Sequence, residues 1–409
     1  MEPGQSMSME YLTNSREHMG DSAFYVYEEN LIRHNIERFK SLPYDNASVH
    51  FASMANDNPV LLSMLKEEGF GLFVNSRKHL ELGLSLGFRP DQIVFASTGI
   101  SAPTMRLLGK LGVRVNIDSR GQLEQFGQQH PGYSLGIRLN IDEKSKNNVF
   151  IGAESRIGML ESELPEVFEI ARKYNLKLIG THVYLGTDVT CLEDLLAGVD
   201  KTLALSDHFP DLEFVDLGGG FPIQEERFDF EQYRLAVAER LESYSRKRGR
   251  SIHLVLEPGR AVFGNTAFFC AQVTDVKERP DRYLVCLNAS ATLIPRAMFY
   301  EDYNPVSVLR SSATGEFDKP VDVVGSTTYS RDFIGRKVQL RQVKPGDWVK
   351  LHYAGSYCYA MITRFLGQAM PPEYLIRSNG DVEMIREGES FFADEDESLD
   401  LAVAAHSQA

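Results

Sequence analysis

Short apolar runs rich in β-branched and aromatic residues alternate with amphipathic segments between residues 49 and 257. Eight of these runs have the length of a strand, and most gaps between them carry apolar positions at helical spacing. Strands that alternate with helices predict a parallel sheet, and eight such units predict a closed (β/α)8 barrel. The predicted strands are 49–55, 69–75, 92–97, 113–118, 134–141, 177–185, 213–218 and 252–257.

The pattern changes after Arg260. Alternating apolar runs are separated by turn residues and helical spacing is scarce, which predicts an all-β domain, either a sandwich or a small barrel. Its predicted strands are 267–276, 283–287, 321–324, 337–341 and 348–352. We therefore expect a polar segment 1–22, a segment 23–30 whose strand pairs with the β-domain, a barrel over 31–265 and a β-domain over 266–409.

Composition narrows the class of protein. A chain of 409 residues is too long for one small core, and 43% hydrophobic with 24% charged residues is typical of a globular protein. The net charge of −14 gives no support to nucleic-acid binding. Four cysteines lie far apart without metal-like spacing, which indicates a reducing compartment and no metal site. No apolar stretch resembles a signal peptide or a membrane-spanning helix, so we expect a cytoplasmic protein.

Two predicted strand ends have the composition of an anion site. The seventh barrel strand ends in Gly218-Gly-Gly-Phe-Pro222 and the eighth in Glu257-Pro-Gly-Arg260. Successive glycines let backbone N–H groups approach an anion closely, and an arginine can clamp a phosphate. Because barrels of this kind often hold phosphate at these two strand ends, we expect a phosphate-bearing ligand there.

Four segments stand out in order along the chain: Ser155–Gly158, Gly218–Phe221, Glu257–Arg260 and Gly355–Tyr357. Together they resemble the signatures of the fold-type III pyridoxal-phosphate decarboxylases, the ornithine, diaminopimelate and arginine decarboxylase group. The resemblance extends from about Phe24 to Gly367. It implies an alanine racemase-like barrel, a C-terminal β-domain and a head-to-tail dimer with shared active sites.

The resemblance also implies which residues hold pyridoxal phosphate or another phosphate-bearing ligand. Glu257 would pair with the pyridine nitrogen and keep it protonated, so that the ring can act as an electron sink. Arg138, on the fifth barrel strand, matches a family arginine near the cofactor. The phosphate would be held by two turns, by a threonine in place of a family serine and by a β-domain tyrosine. These residues are Gly218, Gly219 and Gly220 in the glycine turn, Gly259 and Arg260 in the turn after the eighth strand, Thr187 and Tyr357.

The first departure from the family pattern concerns the covalent bond to the cofactor. The family motif aromatic-Ala-x-Lys-Ala-Asn, at the end of the first barrel strand, is here Phe51-Ala-Ser-Met54-Ala-Asn56. A family aspartate on the second strand aligns with Phe73. Since a thioether cannot form a Schiff base, the resemblance predicts that a cofactor beside Met54 is bound without a covalent link.

Other departures concern groups that transfer protons or recognise the substrate. Tyr184 stands where the family has a histidine that stacks on the cofactor ring. Its ring can still stack, but its phenol cannot take up and release a proton near neutral pH as a histidine does. A cysteine supplied by the partner subunit is Thr328, and the adjacent carboxylate that recognises a distal amine is Tyr329. Asp332 is unchanged from the family pattern.

Three hypotheses follow. The first is a divergent decarboxylase-family protein with impaired or altered chemistry on an amino-acid-like substrate, with Lys78 or Lys144 as candidate substitute lysines. The second is a non-catalytic pseudoenzyme that senses a phosphorylated ligand or regulates a partner, as a homodimer or as a heterodimer with an active paralogue. The third is a different enzyme class that uses the barrel mouth without a Schiff base, with His182, Asp188 and Asp332 as acid and base groups.

Overall fold

The computed structural model describes residues 22–141, 154–300 and 303–389. They form two compact units: Leu31–Asn265, and the described residues before Leu31 together with those from Thr266 onward. Within these described ranges no helix is both long and apolar enough to cross a membrane.

A closed barrel of eight parallel strands forms the unit Leu31–Asn265, which confirms the predicted (β/α)8 fold. The first barrel strand pairs with the last at Val49 and Leu256, and this pairing closes the ring. After β1 (Phe24–Glu28), the barrel strands are β2 (Ala47–Ala52), β3 (Gly71–Val74), β4 (Ile93–Phe95), β5 (Arg114–Ile117), β6 (Ser134–Arg138), β7 (Lys177–His182), β8 (Phe214–Asp216) and β9 (His253–Leu256).

A helix follows each barrel strand, and several helices begin at a small polar residue that caps their first turn. The side chain of Asn58 accepts a hydrogen bond from the N–H of Val60, and that of Ser76 from the N–H of His79. These caps start the helices soon after the strands end. The helices are α1 (Glu29–Lys40), α2 (Pro59–Glu67), α3 (Arg77–Ser85), α4 (Ala102–Leu111), α5 (Arg120–Gln129), α6 (Leu164–Lys173), α7 (Leu192–Ser206), α8 (Phe230–Arg248) and α9 (Arg260–Phe263).

Several predicted strands extend further than the observed ones, and the difference is three residues at the ends of β2, β6 and β7. β6 ends at Arg138 and β7 at His182, whereas the hydropathy pattern continues to 141 and 185. The residues beyond the ladders, Leu139, Val183 and Leu185, are buried in the loops at the ends of the strands. An apolar pattern that continues into packed loops therefore overestimates strand length.

The second unit contains one sheet of nine strands, which confirms the predicted all-β domain. Besides β1, its strands are β10 (Ala267–Glu278), β11 (Tyr283–Leu287), β12 (Val306–Arg310), β13 (Val321–Val324), β14 (Phe333–Val338), β15 (Trp348–Leu351), β16 (Glu373–Ile376) and β17 (Val382–Arg386), with the short helix α10 (Arg296–Tyr300). β1 pairs with β10 antiparallel and with β16 parallel. The sequence did not distinguish between a sandwich and a small barrel. In the structure, the strands join in a single sheet that branches at β10, which pairs with β1, β11 and β15.

Several strands of this sheet differ from the prediction. β12, β16 and β17 were not predicted, and β14 begins earlier than the predicted 337–341. β12 pairs only with β15, and β17 only with β16, so both lie at sheet edges where side chains are partly exposed. Their sequences, Val-Ser-Val-Leu-Arg and Val-Glu-Met-Ile-Arg, mix polar and apolar residues over only five positions, which is a weak strand signal.

Candidate functional site

The barrel mouth, where strands β2 to β9 end, contains a buried polar cluster. Arg138, His182 and Asp216 are the last residues of β6, β7 and β8. The strand register pairs Arg138 with His182 and His182 with Asp216, so the three side chains leave neighbouring strands at one level. Glu257 directly follows β9, the strand that pairs with β8.

Three of these side chains are in direct contact. The Nε2 atom of His182 lies 3.2 Å from Oε2 of Glu257. Asp216 hydrogen-bonds to Glu257 and accepts hydrogen bonds from the N–H of Gly218 at 2.9 Å and from the amide of Asn116 at 3.4 Å. All three side chains are buried.

Burial controls the charge of this cluster. It raises the pKa of Asp216 well above its usual range, and the charge of Glu257 raises it further. Burial raises the pKa of Glu257 to about 7, although the hydrogen bond with Asp216 opposes this shift. Burial also lowers the pKa of His182 to about 4. These pKa shifts keep a proton on Asp216, whose hydroxyl donates a hydrogen bond to Glu257, and they leave His182 neutral at pH 7.

Three buried polar atoms of the mouth have no hydrogen-bond partner among the described residues: Nδ1 of His182, Oε1 of Glu257 and Nε of Arg138. Buried polar atoms are nearly always hydrogen-bonded, so these three are suited to a bound polar ligand. In particular, Oε1 of Glu257 fits an N–H donor such as a protonated pyridine nitrogen, in agreement with the role that the resemblance implies. These residues therefore fit the nitrogen end of pyridoxal phosphate.

His182, Asp216 and Glu257 are also close enough to ligate a metal ion, since their donor atoms lie within 4.8 Å of one another. The same atoms already hydrogen-bond to one another and to Gly218. We therefore treat the cluster as a proton-sharing group.

A second ion pair lies beside the first cluster. Nη1 of Arg138 is 3.5 Å from Oδ1 of Asp118, which follows β5, and both side chains are buried. The same Asp118 oxygen accepts the N–H of Gly158 at 3.2 Å. The segment Ser155–Gly158, one of the four that resemble the family signatures, is thus attached to the polar side of the mouth.

The two predicted phosphate turns are adjacent in space. The N–H of Glu257 donates to the carbonyl of Gly218 at 2.7 Å, which joins the turns after β8 and β9. Gly218 and Gly220 have φ values of +67° and +97°, a region that favours glycine, and a Cβ on Gly219 would lie 2.4 Å from the Glu257 carbonyl oxygen. Arg260, the first residue of α9, follows Gly259 and is buried. A glycine turn beside a buried arginine fits a phosphate group.

The loop after β7 holds the next two predicted residues. The hydroxyl groups of Tyr184 and Thr187 hydrogen-bond to each other, and both residues are exposed. The carboxylate of Asp188 accepts the N–H of Ile223 at 3.2 Å, so this candidate acid is engaged with the backbone after the glycine turn. The predicted stacking role of Tyr184 and phosphate role of Thr187 remain predictions.

Met54 lies in an apolar environment. β2 ends at Ala52, so Met54 occupies the following turn and not the strand end as expected. Its half-buried side chain packs on a buried cluster of Ala52, Phe73, Val94 and Ala96, from the ends of β2, β3 and β4. We call these five residues the apolar half of the mouth. The polar half consists of Asp118, Arg138, His182, Asp216 and Glu257, on β5 to β9.

Of the two candidate substitute lysines, the structure describes only Lys78, which belongs to neither half. Nζ of Lys78 lies 3.3 Å from a carboxylate oxygen of Asp57, and the Lys78 side chain is 80% exposed. Lys144 lies outside the described residues.

The remaining candidates belong to the β-domain. Thr328 is exposed, and the ring of Tyr329 packs edge-on against Phe365 with centroids 5.5 Å apart. Tyr357 is half-buried, with a φ of +53°. Asp332 is buried and its carboxylate accepts hydrogen bonds from the hydroxyl of Ser290, the N–H of Ala291, and the N–H and hydroxyl of Thr327. Asp332 therefore holds the turn that carries Thr328 and Tyr329.

Sequence reasoning missed two acids of the polar half, Asp216 and Asp118. Each ends an apolar run, as Phe214-Val-Asp216 and Val115-Asn-Ile-Asp118. A carboxylate that closes a strand of a parallel barrel points to the functional face, and this signal was present in the sequence.

Known proteins resemble the chain over most of its length. A family model described as pyridoxal-dependent decarboxylase, pyridoxal binding domain, matches residues 29–264. The diaminopimelate decarboxylase of Methanothermobacter thermautotrophicus is 28% identical over 387 residues, which cover 90% of this chain and 89% of that protein. The diaminopimelate decarboxylase of Escherichia coli is 28% identical over 386 residues, covering 88% and 90%.

A solved structure gives the same result. A crystal structure of diaminopimelate decarboxylase matches with a TM-score of 0.86 and 26% identity, and the match covers 98% of both chains. The family model spans more than half of this chain and includes the whole barrel. The chain therefore belongs to the pyridoxal-dependent decarboxylase family, with the fold-type III architecture of a (β/α)8 barrel and a C-terminal β-domain.

Proposed function

We propose that this protein is a divergent decarboxylase-family member that binds pyridoxal phosphate, or a similar phosphate-bearing ligand, without a covalent link. The observation that carries the proposal is the environment of Met54, which packs on the buried apolar cluster that includes Phe73, in the same barrel as the buried polar half. A thioether cannot bond to an aldehyde. Chemistry on an amino-acid-like substrate is then impaired or altered.

Residues of the barrel would hold such a ligand. Arg260 and the backbone N–H groups of Gly219 and Gly220 would bind the phosphate, and Glu257 would accept a hydrogen bond from the ring nitrogen through its free Oε1 atom. When bound, the pyridinium ring supplies an electron sink. The proton held by Asp216 leaves Glu257 able to carry the negative charge that faces this nitrogen.

The matched relatives are named for diaminopimelate, an amino acid with two amino groups, and we extend only the amino-acid class to this chain. The family pattern has a carboxylate where Tyr329 stands, and a carboxylate would anchor a distal ammonium group. A phenol beside Phe365 offers a weaker anchor. Basic substrates such as ornithine or lysine are therefore poor candidates.

Borohydride trapping tests the absence of a covalent link. The protein is incubated with pyridoxal phosphate, reduced, digested and analysed by mass spectrometry. We expect reversible binding that dialysis removes, no pyridoxyl group on any lysine, and decarboxylation slower by orders of magnitude than in Met54→Lys. Met54→Lys should acquire the adduct at residue 54. A pyridoxyl group on a native lysine would contradict the proposal.

Replacement of Arg260 tests the phosphate cradle. Charged hydrogen bonds contribute about 1.5–3 kcal/mol, so Arg260→Ala should weaken pyridoxal phosphate binding by roughly tenfold to a hundredfold. Arg240→Ala is the control, since this arginine pairs with Asp200 on the exposed surface of α7 and α8. Equal binding by Arg260→Ala and the native protein would refute the cradle.

The expected homodimer is supported by exposed aromatic side chains on the β-domain. Phe299, Tyr300 and Phe365 are each about half exposed, and the Tyr300 hydroxyl contacts the sulfur of Met361 at 3.8 Å. Exposed apolar patches often mark protein interfaces. We propose that a second copy covers this patch. Light scattering should give a dimer mass that Phe365→Asp reduces to a monomer mass, and a monomeric native protein would refute this.

A further inference from the structure

We propose that the apolar half of the barrel mouth is a subsite for an uncharged, apolar substituent of the bound ligand, so that the protein selects against ligands with an amine at that place. The inference rests on the proposed function because it concerns the ligand of the same site. It adds a selection rule: charged groups bind the phosphate, while the ring substituent that faces Met54 is selected for being uncharged.

The composition of the subsite carries the first step. Four of its members, Ala52, Phe73, Val94 and Ala96, are buried, and Met54 packs on them with part of its side chain still exposed. A half-buried methionine over a buried apolar floor offers a flexible apolar surface to a ligand group. No member of this cluster can carry a charge.

The polar groups in contact with the apolar half carry the second step, because neither Ser53 nor the neutral His182 has the negative charge that would neutralise an amine. The hydroxyl of Ser53 donates to the carbonyl of Phe73 at 3.1 Å. The ring of Phe73 packs edge-on against His182, with centroids 5.8 Å apart, and His182 contacts Glu257. Phe73 is thus linked to the Glu257 carboxylate through His182.

The third step concerns two positions, 54 and 73, that both differ from the family pattern. The family pattern has a lysine and an aspartate where this chain has Met54 and Phe73, and here the two side chains pack in one cluster. Replacing only the lysine would have left a buried carboxylate without a counter-charge, which is unfavourable. With both positions apolar, the cluster has no charged member and accommodates an apolar group.

Two ligands that differ only in this substituent test the inference. Deoxypyridoxine phosphate has a methyl group where pyridoxamine phosphate has an aminomethyl group, and both share the phosphate and the ring nitrogen. Because an ammonium group buried without a partner is strongly disfavoured, we expect calorimetry to show at least about tenfold tighter binding of the methyl compound by the native protein.

Variants at residue 54 sharpen the test, since its half-exposed side chain tolerates change. Met54→Glu should reduce the preference for the methyl compound at least about tenfold by supplying a counter-charge, whereas Met54→Leu, of similar volume, should keep it. Circular dichroism checks that each variant is folded. Equal affinity of the native protein for both compounds, or the same preference in Met54→Glu, overturns the inference alone. Failure of both compounds to bind overturns the proposed function and the inference with it.

Discussion

The two halves of the barrel mouth are formed by neighbouring strands but have opposite chemistry. The polar half buries two carboxylates in contact with a neutral histidine, and an arginine paired with a third carboxylate. The apolar half places Met54 on a floor of Ala52, Phe73, Val94 and Ala96. The halves meet where Phe73 packs against His182.

In the family pattern, one site both binds pyridoxal phosphate and supplies a lysine amine. The two halves of this mouth separate these two roles. Under the proposed function, the polar half would bind a ring nitrogen and the turns beside it would bind a phosphate. The apolar half, where the family pattern places a lysine, has no amine. The halves should also respond to different perturbations: changes of volume should dominate in the apolar half, and changes of proton number in the polar half.

The largest effect is expected in the apolar half. Phe73→Ala removes a buried ring that belongs to the cluster under Met54 and packs against His182, so we expect the free energy of unfolding to fall by about 4 kcal/mol in urea denaturation. Phe73→Leu is the matched control and should lose about 1.5 kcal/mol because most of the volume is retained. A loss below 1 kcal/mol in Phe73→Ala would show that this ring is not packed as described.

A somewhat smaller effect, which depends on pH, is expected in the polar half. Burial raises the pKa of Glu257 from 4.5 to about 7, so the folded state binds more protons than the unfolded state between these values. The contribution of Glu257 to stability is therefore complete below pH 4.5 and is lost as the pH rises through 7. Relative to the native protein, Glu257→Gln should gain about 3 kcal/mol over this interval.

Comparing variants is necessary because His182 acts in the opposite direction. Its pKa is lowered from 6.5 to about 4, so the stability linked to His182 rises with pH over that range. The difference between the native protein and Glu257→Gln removes the part of the His182 contribution that is independent of the charge of Glu257, and it retains the change that Glu257 causes in the titration of its neighbours His182 and Asp216. Glu242→Gln, at an exposed carboxylate of α8, is the control for net charge and should give a nearly constant difference. A constant difference for Glu257→Gln would mean that Glu257 is not desolvated.

The sequence predicts the polar half better than the apolar half. Glu257 could be placed because a turn after the eighth strand of a barrel is a known ligand position. Arg138 could be placed only through the resemblance, since an arginine on a strand is more often a surface residue. Asp216 was missed, and its importance follows from the register that pairs it with His182. A register between strands is not visible in a single sequence.

The apolar half could not be predicted as a unit. The sequence marks Met54 and Phe73 as separate departures from a pattern, nineteen positions apart. Pairing of Ala52 with Phe73 across β2 and β3 brings them together, and β4 adds Val94 beneath them. Only the closed barrel shows that the two replacements form one apolar surface.

The smallest effect is expected at Lys78. Replacing this residue tests whether a lysine outside both halves of the mouth reacts with the cofactor. The Lys78 side chain is 80% exposed and its ammonium group lies 3.3 Å from Asp57. Exposed ion pairs contribute about 0–1 kcal/mol, so Lys78→Ala should change the free energy of unfolding by no more than about 0.5 kcal/mol. Reversible binding of pyridoxal phosphate should also be unchanged, because neither half of the mouth includes Lys78. A borohydride-stable adduct that is present in the native protein and lost in Lys78→Ala would show that a rim lysine supplies the missing amine. Lys78 would then supply the amine that the apolar half lacks, and the cofactor would be bound covalently in spite of Met54.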